Sequence, residues 1–281
     1  MRIRLGQEAR PGPRLALALA VTSLLAAACG TPSAPELTDP VAILEAAATQ
    51  ATTAQSVRVD VSAEGQLALD LMGTGAGAPI DLADTTASLD LDIADGAARA
   101  TFALPGILGL RGELIAVDGA AYVKTSLTGP LYQQTMLSGA ATPPGTGATP
   151  DPSAIAEMVT QLREVLTQPG VDPIKGDDVP CGTANCYTVT IQLTPEELAA
   201  LGTGTGGLPI PSGLPIPIPD VADQTVDLTF RVAKDTTRLA GLTVAVGGGA
   251  TGDLTAEITF SKWDEDLTIS APPADQVQPA P

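Results

Sequence analysis

Cys29 carries the clearest chemistry in this chain. It ends the run Leu24-Leu25-Ala26-Ala27-Ala28-Cys29, and Gly30 follows it. Upstream lies an apolar stretch from Leu15 to Ala28, preceded by Arg2, Arg4, Arg10 and Arg14. A basic start, an apolar stretch too short to span a bilayer and small residues before a single Cys form the pattern of a lipoprotein signal peptide. The thiol of Cys29 then accepts acyl chains, and Cys29 becomes the first mature residue. Two or more chains hold a protein stably on a membrane where one holds it only marginally. The pattern predicts export, removal of residues 1–28 and a lipid anchor on the outer face of the cell membrane.

The other chemistry-bearing residues are few. Cys181 and Cys186 are close in sequence, and outside the cytoplasm such a pair is expected to form a disulfide across a short loop. Two thiols without histidine make a poor ligand set, so no metal site is expected. The chain has no His at all, which removes the usual general base near neutral pH and the His-based triads. No G-x-S-x-G elbow occurs. Gly202, Gly204 and Gly207 match the spacing of a dinucleotide-binding loop, but they run into prolines rather than into a helix. Asp90 and Asp92 fall on one wet strand face, where neither carboxylate can be fully desolvated. The residues therefore predict neither an enzyme nor a cofactor.

Charge and composition narrow the partners. Asp and Glu number 32 against 14 Lys and Arg, a net charge of −18. Loss of residues 1–28 makes the remainder more acidic still. Such a chain is repelled by nucleic acid and by anionic headgroups, so attachment to a membrane must come from the anchor on Cys29. The apolar residues are mainly aliphatic, with only three Phe, three Tyr and one Trp. Flexible aliphatic walls suit acyl chains, and they suit an ordinary dry core equally well.

These residues need elements to position them. Residues 29–37 read as a flexible tether. Asp39-Pro40 starts a helix, with Asp39 as cap and Pro40 in the first turn, and Val41, Leu44, Ala47, Ala48 and Ala51 recur at helical spacing. From Val57 the period becomes two. Val57, Val59 and Val61, then Leu67 and Leu69, then Leu89, Leu91 and Ile93 alternate with polar residues, as half-buried strands do. Strands follow at 98–104, 112–118 and 120–125, the last two joined through Asp118-Gly119, a hairpin-turn dipeptide. Asp151-Pro152 starts a second helix carrying Ile155, Val159 and Leu162. After a strand at 185–193, Thr194-Pro195-Glu196-Glu197 forms a capping box. Further strands are expected at 226–232, 239–246, 254–260 and 267–269. Residues 139–150 and 202–220 read as loops, the second either a surface loop or an apolar flap. The order predicts an α+β fold on one antiparallel sheet.

Several stretches resemble the LppX/LprAFG family of actinobacterial glycolipid-carrier lipoproteins. They are the segment from Ala42 to Val61, the hairpin from Glu113 to Val123, and Ser261-Lys262-Trp263 followed by a strand and Pro272-Pro273. The resemblance spans residues 40–273. It implies a strongly curved antiparallel half-barrel with helices packed over its concave face, enclosing an apolar cavity, an architecture similar to LolA and LolB. It also implies acylated lipids or glycolipids as ligands, an export transporter as a partner and a single lipid-binding domain over 38–273. The loops at 139–150 and 202–220 look longer than those of the family, and the Cys181–Cys186 pair is not one of its hallmarks. Residues 274–281 are expected to be a disordered tail, and the protein a monomer.

On this reading the cavity is lined by Leu67, Leu69, Leu89, Leu91, Phe102, Leu228, Phe230, Leu254, Ile258 and Phe260 from the sheet. Leu44, Ile155, Val159 and Leu162 line it from the helices. Trp263 is expected to pack structurally rather than to touch ligand. The alternative is a structural or interaction lipoprotein of the envelope, with the same residues forming a dry core and no lipid bound.

Overall fold

A computed structural model describes residues 36–69, 78–136, 166, 170–182, 184–200, 224–247 and 253–278. From Leu37 onward the chain forms one compact unit. The lipoprotein signal, Cys29 and most of the tether lie outside the described residues, as do both long loops. Leu37 itself is not tether. Its backbone N–H donates to the Tyr187 hydroxyl at 3.0 Å, and its side chain packs against the core.

The helix α1 (Pro40–Thr52) begins as its sequence dictates. The Asp39 carboxylate accepts from the Val41 N–H at 3.0 Å, and Pro40 fills the first turn, where a missing donor costs nothing. Its buried face is Ile43, Leu44, Ala47 and Ala48. Then follow β1 (Ser56–Leu69), β2 (Ala78–Asp81), β3 (Thr85–Asp92), β4 (Ala97–Leu104), β5 (Leu110–Val117), β6 (Ala120–Thr125) and β7 (Tyr132–Met136). The second half contains β8 (Ile174–Lys175), β9 (Val179–Cys181), β10 (Ala184–Leu193), a short helix α2 (Pro195–Ala200), β11 (Thr225–Ala233), β12 (Leu239–Gly247) and β13 (Leu254–Ser261). A 3₁₀ turn at Ala274–Gln276 and β14 (Val277–Gln278) close the described chain.

The strands build one large, curved, unclosed sheet in the order β14-β7-β6-β5-β4-β3-β1-β13-β12-β11-β10-β8. β2 pairs with β1, and β9 with β10. The centre is the β1–β13 pair, which joins the two halves of the sequence antiparallel from Arg58↔Ser261 to Gly65↔Leu254. At Gly65 (φ +108°) β1 leaves that pairing and turns to β2. A Cβ there would stand 2.1 Å from the Asp253 carbonyl oxygen, so only glycine fits.

Three expectations need correction. The sheet is mixed rather than wholly antiparallel, because β14 runs parallel to β7, with Val277 opposite Tyr132. By the same pairing, residues 274–278 are not a disordered tail. Leu267–Ile269 alternates like a strand yet is not one. Lys262 (φ 52°) and Asp264 (φ 55°) turn the chain out of the sheet just before it. Trp263 within that turn stacks on Phe260 and donates its indole N–H to the Leu239 carbonyl at 3.1 Å, a structural role. The helices expected over the concave face and the enclosed cavity are not shown among the described residues. There α1 packs mainly on β10, β11 and β12, and Ile155, Val159 and Leu162 lie outside.

Other expectations are met. The hairpin turns at Asp118-Gly119, both at positive φ. The capping box at Thr194 is closed by its N–H to Glu197 at 2.7 Å and by the Glu197 N–H to the Thr194 hydroxyl at 3.4 Å. Cys181 and Cys186 form a disulfide, their Cα atoms 5.7 Å apart, between β9 and β10. No helix among the described residues is long and apolar enough to cross a membrane.

Candidate functional site

Directly opposed residues of paired strands point to the same face of a sheet. One row of partners can be followed through nine strands: Val189, Phe230, Leu242, Ile258, Val61, Ala87, Phe102, Gly112 and Thr125. The neighbouring row runs Phe260, Val59, Leu89, Ala100, Leu114 and Val123. The sheet thus presents one apolar face across both halves. The other face is polar, with Asp60, Ser62, Thr86, Ser88, Thr101, Glu257 and Thr259 among its residues.

The two ends of the apolar face differ. Over β10–β12 it is filled. Leu44, Leu228 and Phe230 are buried in one cluster with Ile43, Val189, Ile191 and Val226, and Leu166 joins them. Leu254 is partly buried against the same cluster. Over β1 and β3–β6 the face is only partly covered. Leu89, Leu91, Phe102, Ile258 and Phe260 are each partly buried, and so are Val59, Val61, Leu114 and Val123. Leu67 and Leu69 sit at register positions opposite Ile80 and Ala78. The far end of the Phe102 ring lies over Gly112, where a Cβ would come within 2.3 Å of it. A larger residue at position 112 would push the ring away from this place on the sheet.

Sequence reasoning missed Val59, Val61, Leu114 and Val123 as members of this wall. Their signal was present: Leu110, Gly112, Leu114 and Ala116 alternate with Arg111, Glu113 and Ile115. The Arg231/Val232 bulge, which shifts the register against Leu239, had no such signal.

The polar face is held by ion pairs between strands. Arg58 clamps Asp90 with two hydrogen bonds of 2.6 Å, and Arg231 donates to Glu257 at 2.8 Å. Glu113 accepts from Tyr132 at 2.7 Å and from Arg99 at 2.8 Å, and Lys124 stands 3.4 Å away. Burial works to raise the Glu113 carboxyl, but the hydrogen bonds from Tyr132, Arg99 and Lys124 together hold it below the usual range. Near the disulfide, Asp178 is held low by hydrogen bonds from Lys234 and then Lys175. Two open crevices lie on this face. One, of about 520 Å³, is bordered by Asp60, Ser62, Ser88, Thr101, Glu257 and Thr259. The other, of about 350 Å³, opens over β5 and β6. Among the described residues no group of His, Cys, Asp and Glu could hold a metal ion.

No family model and no curated protein matches the sequence. Solved structures do resemble the fold. LprF from Mycobacterium bovis is 15% identical with a TM-score of 0.48, covering 84% of this chain and 98% of that one. The lipoprotein LppX from Mycobacterium tuberculosis is 18% identical with a TM-score of 0.44, covering 83% and 100%. A LolA superfamily protein from Nitrosomonas europaea is 9% identical with a TM-score of 0.27, covering 83% and 96%. In these comparisons, as in its sequence segments, the chain resembles the LppX/LprF group of lipoproteins.

Proposed function

We propose that the protein, anchored through an acylated Cys29, binds the hydrocarbon chains of a lipid or glycolipid on the apolar sheet face and carries them across the cell envelope. The observation that carries this reading is the continuous apolar wall over β1 and β3–β6, which the described residues leave only partly covered. A water-filled gap at such a wall is costly, and an acyl chain is the ligand whose transfer there recovers most. At about 0.8 kcal/mol per CH₂, a chain of roughly sixteen carbons costs on the order of 12 kcal/mol in water. Lining it with Leu89, Leu91, Phe102, Leu114, Ile258 and Phe260 removes most of that cost, and no catalytic group is needed. In this reading Ile155, Val159 and Leu162 supply the opposite wall. The filled end around Leu44, Leu228 and Phe230 braces the sheet rather than touching ligand. An export transporter would load or unload the carrier.

The filled end also favours a second reading, an envelope lipoprotein with a dry core that acts through protein contacts. The two separate cleanly. Protein purified from a lipid-rich host and extracted with organic solvent should release acyl lipid, identified by mass spectrometry, and the stripped protein should rebind it. Failure of the stripped, folded protein to take up any acyl lipid refutes the carrier and leaves the dry-core reading.

A further inference from the structure

We propose that the crevice over β5 and β6, on the polar face opposite the apolar wall, binds a phosphate-bearing anion. The chain as a whole is strongly acidic, yet this patch is not. Arg111 and Lys124 border the crevice with Glu113 as its one carboxylate, and Arg99 joins them through its bond to Glu113. The next acid on this face, Asp90, is already clamped by Arg58. Three cations therefore stand about this crevice against one carboxylate, and that carboxylate is spent on Tyr132, Arg99 and Lys124. The Lys124 ammonium is fixed as well, donating to the Tyr132 hydroxyl at 3.0 Å and lying 4.2 Å from the centre of its ring.

Arg111 is the exception. Its backbone N–H donates to the Ser126 hydroxyl at 3.2 Å, but its exposed guanidinium has no partner among the described residues. Other arginines on the sheet, Arg58, Arg99 and Arg231, are each paired with a carboxylate. A free guanidinium fork bordering the same crevice as a fixed ammonium, with the hydroxyls of Thr101 and Ser126 also on its rim, is complementary to a tetrahedral oxyanion. The fork takes two oxygens, the ammonium adds charge, and the hydroxyls donate to the rest. A carboxylate ligand would satisfy the fork and leave the hydroxyls idle. The phosphate could be free or belong to a lipid headgroup, and one experiment separates these sources.

The purified full chain is titrated with inorganic phosphate, followed by the Arg111 side-chain NMR signal. It is also titrated with mixed phosphatidylglycerol–phosphatidylcholine vesicles, followed by sedimentation. Arg111→Ala should weaken phosphate binding about tenfold or more, Arg111→Lys should retain part of it, and added salt should weaken it in the parent. Lys262→Ala, which removes an exposed cation elsewhere, should change nothing. Vesicle binding that falls in Arg111→Ala assigns the phosphate to a headgroup, and Arg111-dependent binding of inorganic phosphate alone assigns it to a free anion. Arg111→Gln stands in if the alanine variant fails to fold. Absence of binding to both probes, or binding that Arg111→Ala leaves intact, overturns the site. Neither result bears on acyl lipid binding at the opposite face.

Discussion

Leu44 and Leu89 are chemically identical, and both were expected to line one cavity, yet the structure gives them different surroundings. Leu44 is 2% exposed within the α1–β10–β11 cluster. Truncating it to Ala loses the transfer energy of the removed carbons and leaves a void, a cost of about 2–5 kcal/mol. Leu89 is partly buried between Val59 and Ala100 on the open part of the wall. Full burial of a leucine is worth roughly 1.5–3 kcal/mol, so Leu89→Ala in the lipid-free protein should cost about 1 kcal/mol with no cavity term. For a domain of this size that is a fall of roughly 2–4 °C in Tm, against at least twice that for Leu44→Ala. With acyl lipid present the ranking reverses. Leu89 then touches the chain, and a lost contact of about 1 kcal/mol weakens lipid binding roughly fivefold, whereas Leu44→Ala leaves affinity near that of the parent. Thermal melts by circular dichroism, with displacement of a fluorescent fatty acid as the binding assay, give both numbers on the same samples. Equal destabilisation by the two substitutions, with unchanged lipid affinity in Leu89→Ala, would show that Leu89 is ordinary filled core and refute the reasoning.

Two further outcomes follow from the polar face and the edge. The folded Glu113 carboxyl is held below its ordinary value, so its contribution is complete above about pH 4.3, the unfolded value, and disappears as the pH falls through the folded one. The Tm gap between the parent and Glu113→Gln should therefore be widest near neutrality and shrink in acid; a gap independent of pH contradicts the assignment. Removing the Cys181–Cys186 disulfide by a double change to Ala opens a very short loop, worth about 2 kcal/mol by chain entropy. The expected fall in Tm is roughly 4–8 °C, with faster amide exchange confined to β9 and β8 and no change in lipid affinity.

What the sequence made legible follows from how local each signal is. Val226, Leu228, Phe230 and Val232 alternate without interruption, and β11 runs through all four. Asp39-Pro40 and Thr194-Pro195-Glu196-Glu197 announce their helices because the cap and the first turn are neighbours in sequence. β14 is different. Val277-Gln278 has no periodicity to read, and its order comes from Tyr132 and Gln133, far away in the chain. Leu267 and Ile269 show the converse error. Alternation states which residues could share a face, but a strand also needs a partner, and the turn at Lys262–Asp264 removes this segment from the sheet. The membership of the apolar wall was thus largely visible from the period of two. How deeply each residue is covered was not, because cover depends on where α1 lies.

That distinction decides how the wall should be understood. α1 presents Ala47 and Ala48 beside Ile43 and Leu44, so it sits close to β10–β12 and fills the space there. Its axis is short, and its main contacts are with β10, β11 and β12. Beyond it the wall continues with the same chemistry for another five strands, β13, β1, β3, β4 and β5. A sheet evolved only for stability would gain from polar substitutions wherever no layer covers it, since alternating residues on β1 and β3 already show that polar side chains are tolerated on the opposite face. The apolar residues Val59, Leu89, Leu91, Phe102 and Leu114 on the apolar side therefore require a second apolar layer, from the chain itself, from a ligand or from both. Supplied wholly by the chain, that layer makes the affinity of the stripped protein for acyl chains negligible; supplied in part by hydrocarbon, it makes the stripped protein less stable than the loaded one by an amount that grows with lipid concentration. A Tm that rises with added fatty acid, and rises less in Leu89→Ala, distinguishes the two.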